Sequence, residues 1–171
     1  MDGRKETAAG TVGTAAADSA PLETVRRRRA GLRRAMLDLE QAASGAATGR
    51  ETRWLGDVRA QLDEVDARLA SHIAGTEGED GLYTEVLEVS PRLANAVNRL
   101  RAEHDEITAA VTALRGEIDQ VVAHGLDDDA VDSLAAARES INRLIARLVR
   151  HRQQGADLVF QAYALDIGGE T

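Results

Sequence analysis

The 171-residue chain contains no cysteine. A disulfide framework, a thiolate metal site and a cysteine nucleophile are therefore excluded. Aromatic residues are nearly absent too, with one Trp, two Tyr and one Phe, so any core must be built from aliphatic side chains. Only two prolines interrupt the chain, which leaves room for long helices. No apolar run approaches ~18 residues, so no membrane span is expected. The N-terminal stretch lacks the apolar core of a signal peptide, which points to a cytoplasmic protein. Positive charge is in deficit: 21 Lys and Arg face 29 Asp and Glu, for a net charge of −8. That balance disfavours nucleic acid as a partner. No nucleophile elbow, phosphate loop, HExxH or Ser-His-Asp order is found, so enzyme activity is not expected apart from what a metal would bring.

What is present is helical periodicity. Residues 1–20 carry no apolar period and read as a disordered tail. A bundle is expected over 21–167, with 168–171 as a C-terminal tail. The first helix is expected to open at Pro21 and to carry Val25, Leu32, Met36, Leu39 and Ala43 on one seam, with Arg29 filling the gap. A linker follows over 44–49, where Thr48 and Glu51 have capping-box spacing. The second helix carries Leu55, Val58, Leu62, Val65, Leu69 and His72 at alternating steps of three and four. Gly75, Gly78 and Gly81 are expected to interrupt it just after the histidine. Leu82 to Val89 reads as a short helix or turn, and Ser90-Pro91 as the start of the third long helix. That helix has the seam Leu93, Val97, Leu100, His104, Ile107, Val111, Leu114, Ile118, Val121. The fourth carries Leu134, Ala137, Ile141, Leu144, Leu148, His151 and Leu158. Four such helices on short links predict an all-α, antiparallel, up-down four-helix bundle.

Three of the four histidines occupy seam positions where leucine is expected. His124 is the exception, placed beside Gly125 in a loop. A buried imidazole costs free energy unless something bonds it. Counting along the helices gives the depth of each ring. His104 lies ~30 Å before the turn into the last helix and His151 ~33 Å after it. His72 stands where the second helix must turn back. All three are expected to meet near one end of the bundle. There they form either a shared metal pocket or hydrogen-bonded core residues; imidazole suits iron, zinc and copper. Among nearby carboxylates, Glu79, Glu103 and Glu106 read as a solvated face. Glu77, five residues past His72, is the one acidic candidate for the pocket.

The segments Ser71-His72-Ile73 through Glu77, Asp80-Gly81-Leu82-Tyr83, Arg101-Ala102-Glu103-His104 and Leu148-Val149-Arg150-His151-Arg152-Gln153-Gln154 resemble the hemerythrin family of histidine-rich, cation-binding four-helix bundles. The resemblance runs from about residue 22 onward. It implies a non-haem iron site that binds or senses oxygen or nitric oxide. It makes His72, His104 and His151 the second to fourth family histidines, with Glu77 nearest the first acidic bridge. Two positions depart from the pattern. Arg29 stands where the family's first histidine belongs, and Gly155 stands where an acidic residue follows the last one. The implied site is therefore reduced and mononuclear rather than dinuclear, with iron expected and zinc an alternative. Arg29 reads either as a guanidinium standing in for lost metal charge or as part of the basic run Arg26–Arg29 turned to water. The other functional reading is a metal-free bundle that serves as a scaffold or protein-interaction domain.

Overall fold

A computed structural model describes residues 19–124 and 130–163. The side chains of residues 19–26, 28, 29, 124, 130 and 131 lie outside what it describes. Both expected tails fall largely outside the described residues, except that helix already begins at Ser19 rather than at Pro21. The expected charge substitute, the Arg29 side chain, also lies outside them.

The described residues form no strand. Four long helices are present: α1 (Ser19–Ser44), α2 (Glu51–Glu77), α4 (Ala94–His124) and α5 (Ala130–Tyr163). A short helix, α3 (Leu82–Val89), and a 3-10 turn (Pro91–Leu93) separate α2 from α4. Each long helix packs on two others, α1 on α2 and α5, α4 on α2 and α5, which closes the ring of a four-helix bundle. The pairing is antiparallel. Arg59 meets Asp119 while Arg115 meets Asp66, so α4 descends as α2 ascends. Likewise Glu103 and His104 reach His151 while Glu106 faces Arg147 across α4 and α5. No helix among the described residues is long and apolar enough to cross a membrane.

The seam residues make the core. Val58, Leu62, Val65 and Leu69 of α2 pack with Leu39 of α1, Ile107, Val111 and Ile118 of α4, and Ile141, Leu144 and Leu148 of α5. Each such burial stabilises the fold by roughly 1.5–3 kcal/mol before chain entropy is counted. A smaller apolar cluster of Tyr83, Val86, Leu93, Val97, Leu100, Leu158 and Ala162 closes the other end. Two clusters leave a layer between them, and that layer holds the histidines.

Local signals at helix ends differ from the expected ones. At the start of α2 the N-cap is Arg50, without a side-chain cap. Glu51 accepts a hydrogen bond from the Gly49 amide at 2.7 Å instead. Its own backbone amide, and then that of Gly49, hold its carboxyl below the ordinary range. Helix α2 does not stop after His72: it runs through Gly75 to Glu77. The turn comes at Gly78 and Gly81. A Cβ on Gly78 would stand 2.7 Å from the Ala74 carbonyl oxygen, and one on Gly81 2.6 Å from that of Thr76. Only glycine permits so close a return of the chain. Ser90-Pro91 opens the 3-10 turn rather than α4 itself, and the Ser90 hydroxyl donates to the Ala162 carbonyl at 3.4 Å instead of capping.

Candidate metal centre

Helix α2 brings His72 to the layer in its last two turns, α4 brings His104 in its third, and α5 brings His151 past its midpoint. His104 and His151 are fully buried, and His72 is half-buried. The three ring centroids lie 4.5–5.5 Å apart. One nitrogen from each ring lies within 4.8 Å of the other two. The Nε2 of His151 stands 3.0 Å from that of His104 and 3.3 Å from that of His72.

The other nitrogens of the two buried rings face carboxylates. The Glu77 Oε1 lies at hydrogen-bonding distance from His104 Nδ1. The Glu103 Oε2 lies 2.9 Å from His151 Nδ1. A carboxylate only accepts, so each Nδ1 donates its proton outward. In the neutral rings both Nε2 atoms then carry bare lone pairs aimed at one another across 3.0 Å. That arrangement is repulsive unless a proton or a cation lies among them. Nitrogens sharing one ion at ~2.0–2.1 Å stand about 3.0–3.4 Å apart, which matches the two separations from His151, and all three nitrogens lie within 4.8 Å of one another. Two carboxylates behind the rings also offset the charge of a divalent cation. The donor set fits a metal ion held by His72, His104 and His151.

Burial lowers the affinity of His151 for a proton, against the opposing pull of the Glu103 hydrogen bond. A neutral ring is the form that ligates. Tyr83 of α3 stacks on His104, centroids 6.0 Å apart and rings 17° from parallel. Its hydroxyl is held well above the usual phenol range, first by burial and then by the Glu77 charge. The Arg101 guanidinium sits 5.8 Å over the outer face of the same ring. Thr76 is buried below, its hydroxyl donating to the His72 carbonyl at 3.0 Å.

The structure thus gathers His72, His104 and His151, and it brings Glu77 to them through His104 Nδ1. Glu77 is not one of the three clustered donors. Glu79 is exposed, and Glu106 faces Arg147 at 3.6 Å. Helix α1 contributes Ala30, Leu32 and Arg33 to a cavity beside His72 and His151, but no ligating side chain among the described residues. Gly155, one turn after His151, leaves open space where a Cβ would stand.

Three participants escaped the sequence reading. The sequence places Glu103 on a solvated face, yet its carboxylate crosses to α5 and orients His151. Gln154, with its amide nitrogen turned to Glu103, lies 2.5 and 2.7 Å from the two carboxylate oxygens and anchors them. Tyr83 had no seam to mark it. The available signal was position: Glu103 adjoins His104 and Gln154 follows His151 within one turn, on the two helices that face each other.

Comparison with curated proteins and with solved structures gives no match. The family model described as the hemerythrin HHE cation-binding domain matches residues 20–163. That span takes in all four long helices, the three clustered histidines and both carboxylates behind them, and the chain belongs to the hemerythrin HHE cation-binding domain family.

Proposed function

We propose that the protein binds a single iron ion through His72, His104 and His151, and that it binds or senses oxygen or nitric oxide there. The observation that carries the reading is the meeting of three Nε2 atoms whose rings are backed by Glu77 and Glu103. A carboxylate behind a ligating imidazole fixes its tautomer and raises its basicity. Bound iron would supply redox chemistry and coordination of a diatomic ligand. The chain's own part is to orient the three rings, to hold His151 in its neutral form by burial and to limit water through the two apolar clusters. Three protein ligands leave coordination positions open, and the cavity against His72 and His151 gives a route to them. Zinc fits the same nitrogen donors, and family membership speaks to a cation without fixing which. The role is one of binding rather than turnover.

A second reading follows from the 3.0 Å contact itself. A single proton shared between His104 and His151 would also satisfy it, leaving a metal-free bundle that serves as a scaffold or interaction domain. Thermal unfolding with and without a strong chelator separates the two. A ligand at 100 times its Kd stabilises a fold by about 2.7 kcal/mol, so the metal reading expects a clear fall in Tm on chelation. An unchanged Tm supports the metal-free scaffold.

A further inference from the structure

A cavity of about 510 Å³ opens between α1 and α5 and reaches inward to His72, Thr76 and His151. Its size lies within the ~300–1,000 Å³ range of small-molecule sites, and far exceeds what a diatomic ligand needs. Leu32, Leu82 and the Tyr83 ring form apolar walls. Two exposed cations stand at the rim on opposite helices, Arg33 of α1 and Arg152 of α5. Several exposed arginines of the bundle are tied to an acid, among them Arg34 to Asp38, Arg68 to Glu64 and Arg143 to Glu139. Arg33 and Arg152 have no such partner among the described residues. Gly155, also on the cavity wall, adds open volume where any other residue would project a side chain.

We propose that this cavity binds a free small organic monocarboxylate with an apolar body. The carboxylate pairs with Arg33 and Arg152 at the rim, and the apolar body lies between α1 and α5 against Leu32 and Leu82. Guanidinium groups recognise carboxylates by paired N–H donors, and Leu32, Leu82 and the Tyr83 ring give an apolar body something to pack on. Two cations without an acid partner among the described residues, set beside apolar walls, complement an amphipathic anion better than a neutral apolar molecule or a bare inorganic anion. The inference does not rest on the cation at the histidines, because the arginines and the walls are present with or without it.

Calorimetric titration with octanoate, octanol and acetate tests it, on protein as purified and on the same protein after chelation, with helicity checked in both. Octanoate is expected to bind in both preparations, at least tenfold more tightly than octanol, and acetate not measurably. The double variant Arg33→Gln, Arg152→Gln is expected to weaken octanoate at least tenfold while leaving octanol unchanged. Gly155→Leu, which fills the cavity, is expected to weaken both. Equal binding of octanoate and octanol, an unchanged affinity in the double variant, or no binding of octanoate overturns the proposal. Octanoate binding that disappears on chelation also overturns it, since the anion would then be held by the metal and not by the arginine pair. Metal content measured on the same samples reports on the histidine cluster separately, so failure of one reading is distinguishable from failure of the other.

Discussion

His104 and His151 point their Nε2 atoms at each other across 3.0 Å while their Nδ1 atoms turn away to Glu77 and Glu103. The relationship is set by two antiparallel helices, α4 and α5, which deliver the rings at one level from opposite directions. Glu103 sits one residue before His104 and reaches across to orient His151. Each ring of the pair is therefore held by a group that its own helix does not supply, since Glu77 comes from α2.

The two carboxylates are expected to tune the site without belonging to it. Removing a carboxylate behind a ligating histidine typically costs 10–100-fold in metal affinity. Glu77→Gln and Glu103→Gln should each weaken binding within that range, as read by competition with a chelator of known affinity. Complete loss of binding in Glu77→Gln would make Glu77 a direct ligand. An unchanged affinity in both would leave the carboxylates without a role.

Acid is expected to destabilise the metal-free protein by way of His151. Its folded-state pKa lies below the ordinary 6.5, chiefly through burial. The unfolded chain therefore takes up a proton near 6.5 that the folded chain refuses. The stability this group contributes is full above 6.5 and is lost as pH falls from there through the folded value. The Tm of chelated protein should fall from neutral pH toward pH ~5, and His151→Gln should flatten that slope. An equal slope in the variant would assign the acid sensitivity to other groups.

Gly155 offers a gain-of-function test. A Cβ there would meet nothing within 4 Å, and the position is one turn beyond His151. Gly155→Asp should slow metal loss to a chelator by adding a carboxylate near the ion. Gly155→Ala should leave that rate unchanged while stabilising the helix by about 0.5–1 kcal/mol. Equal rates in the two variants would place residue 155 too far from the cluster to matter.

The turn after α2 is expected to be intolerant. Gly81→Ala would press a Cβ to 2.6 Å from the Thr76 carbonyl oxygen and 2.7 Å from that of Gly78. Moving either segment displaces Glu77 on one side or Tyr83 on the other. The variant should lower Tm and weaken metal binding together. Wild-type values for both would show that the turn relaxes without disturbing His104.

Much of the fold was legible because its signals are periodic. The steps of three and four from Leu55 to Leu69 and from Leu93 to Ile118 coincide with residues that the bundle buries, and the next step reaches the half-buried His72. Residue counts on either side of the α4–α5 turn are enough to place His104 and His151 at one depth. The carboxylates were harder to read. An angular offset on a helical wheel locates a Cα, whereas the side chain of Glu103 is long enough to leave its own face and bond a neighbouring helix. Glycine misled in the opposite direction: Gly75 sits inside α2 because packing on both sides outweighs its ~1 kcal/mol penalty. The Ser90-Pro91 pair signalled a boundary correctly but not its form, since a 3-10 turn intervenes before α4.

The metal content of protein purified without a histidine tag tests the central claim most directly. The account predicts about one equivalent of iron per wild-type chain, and loss of that metal in a folded His151→Ala variant. Equal metal content in the two proteins would contradict it, because the buried imidazole at the middle of the cluster would then hold nothing.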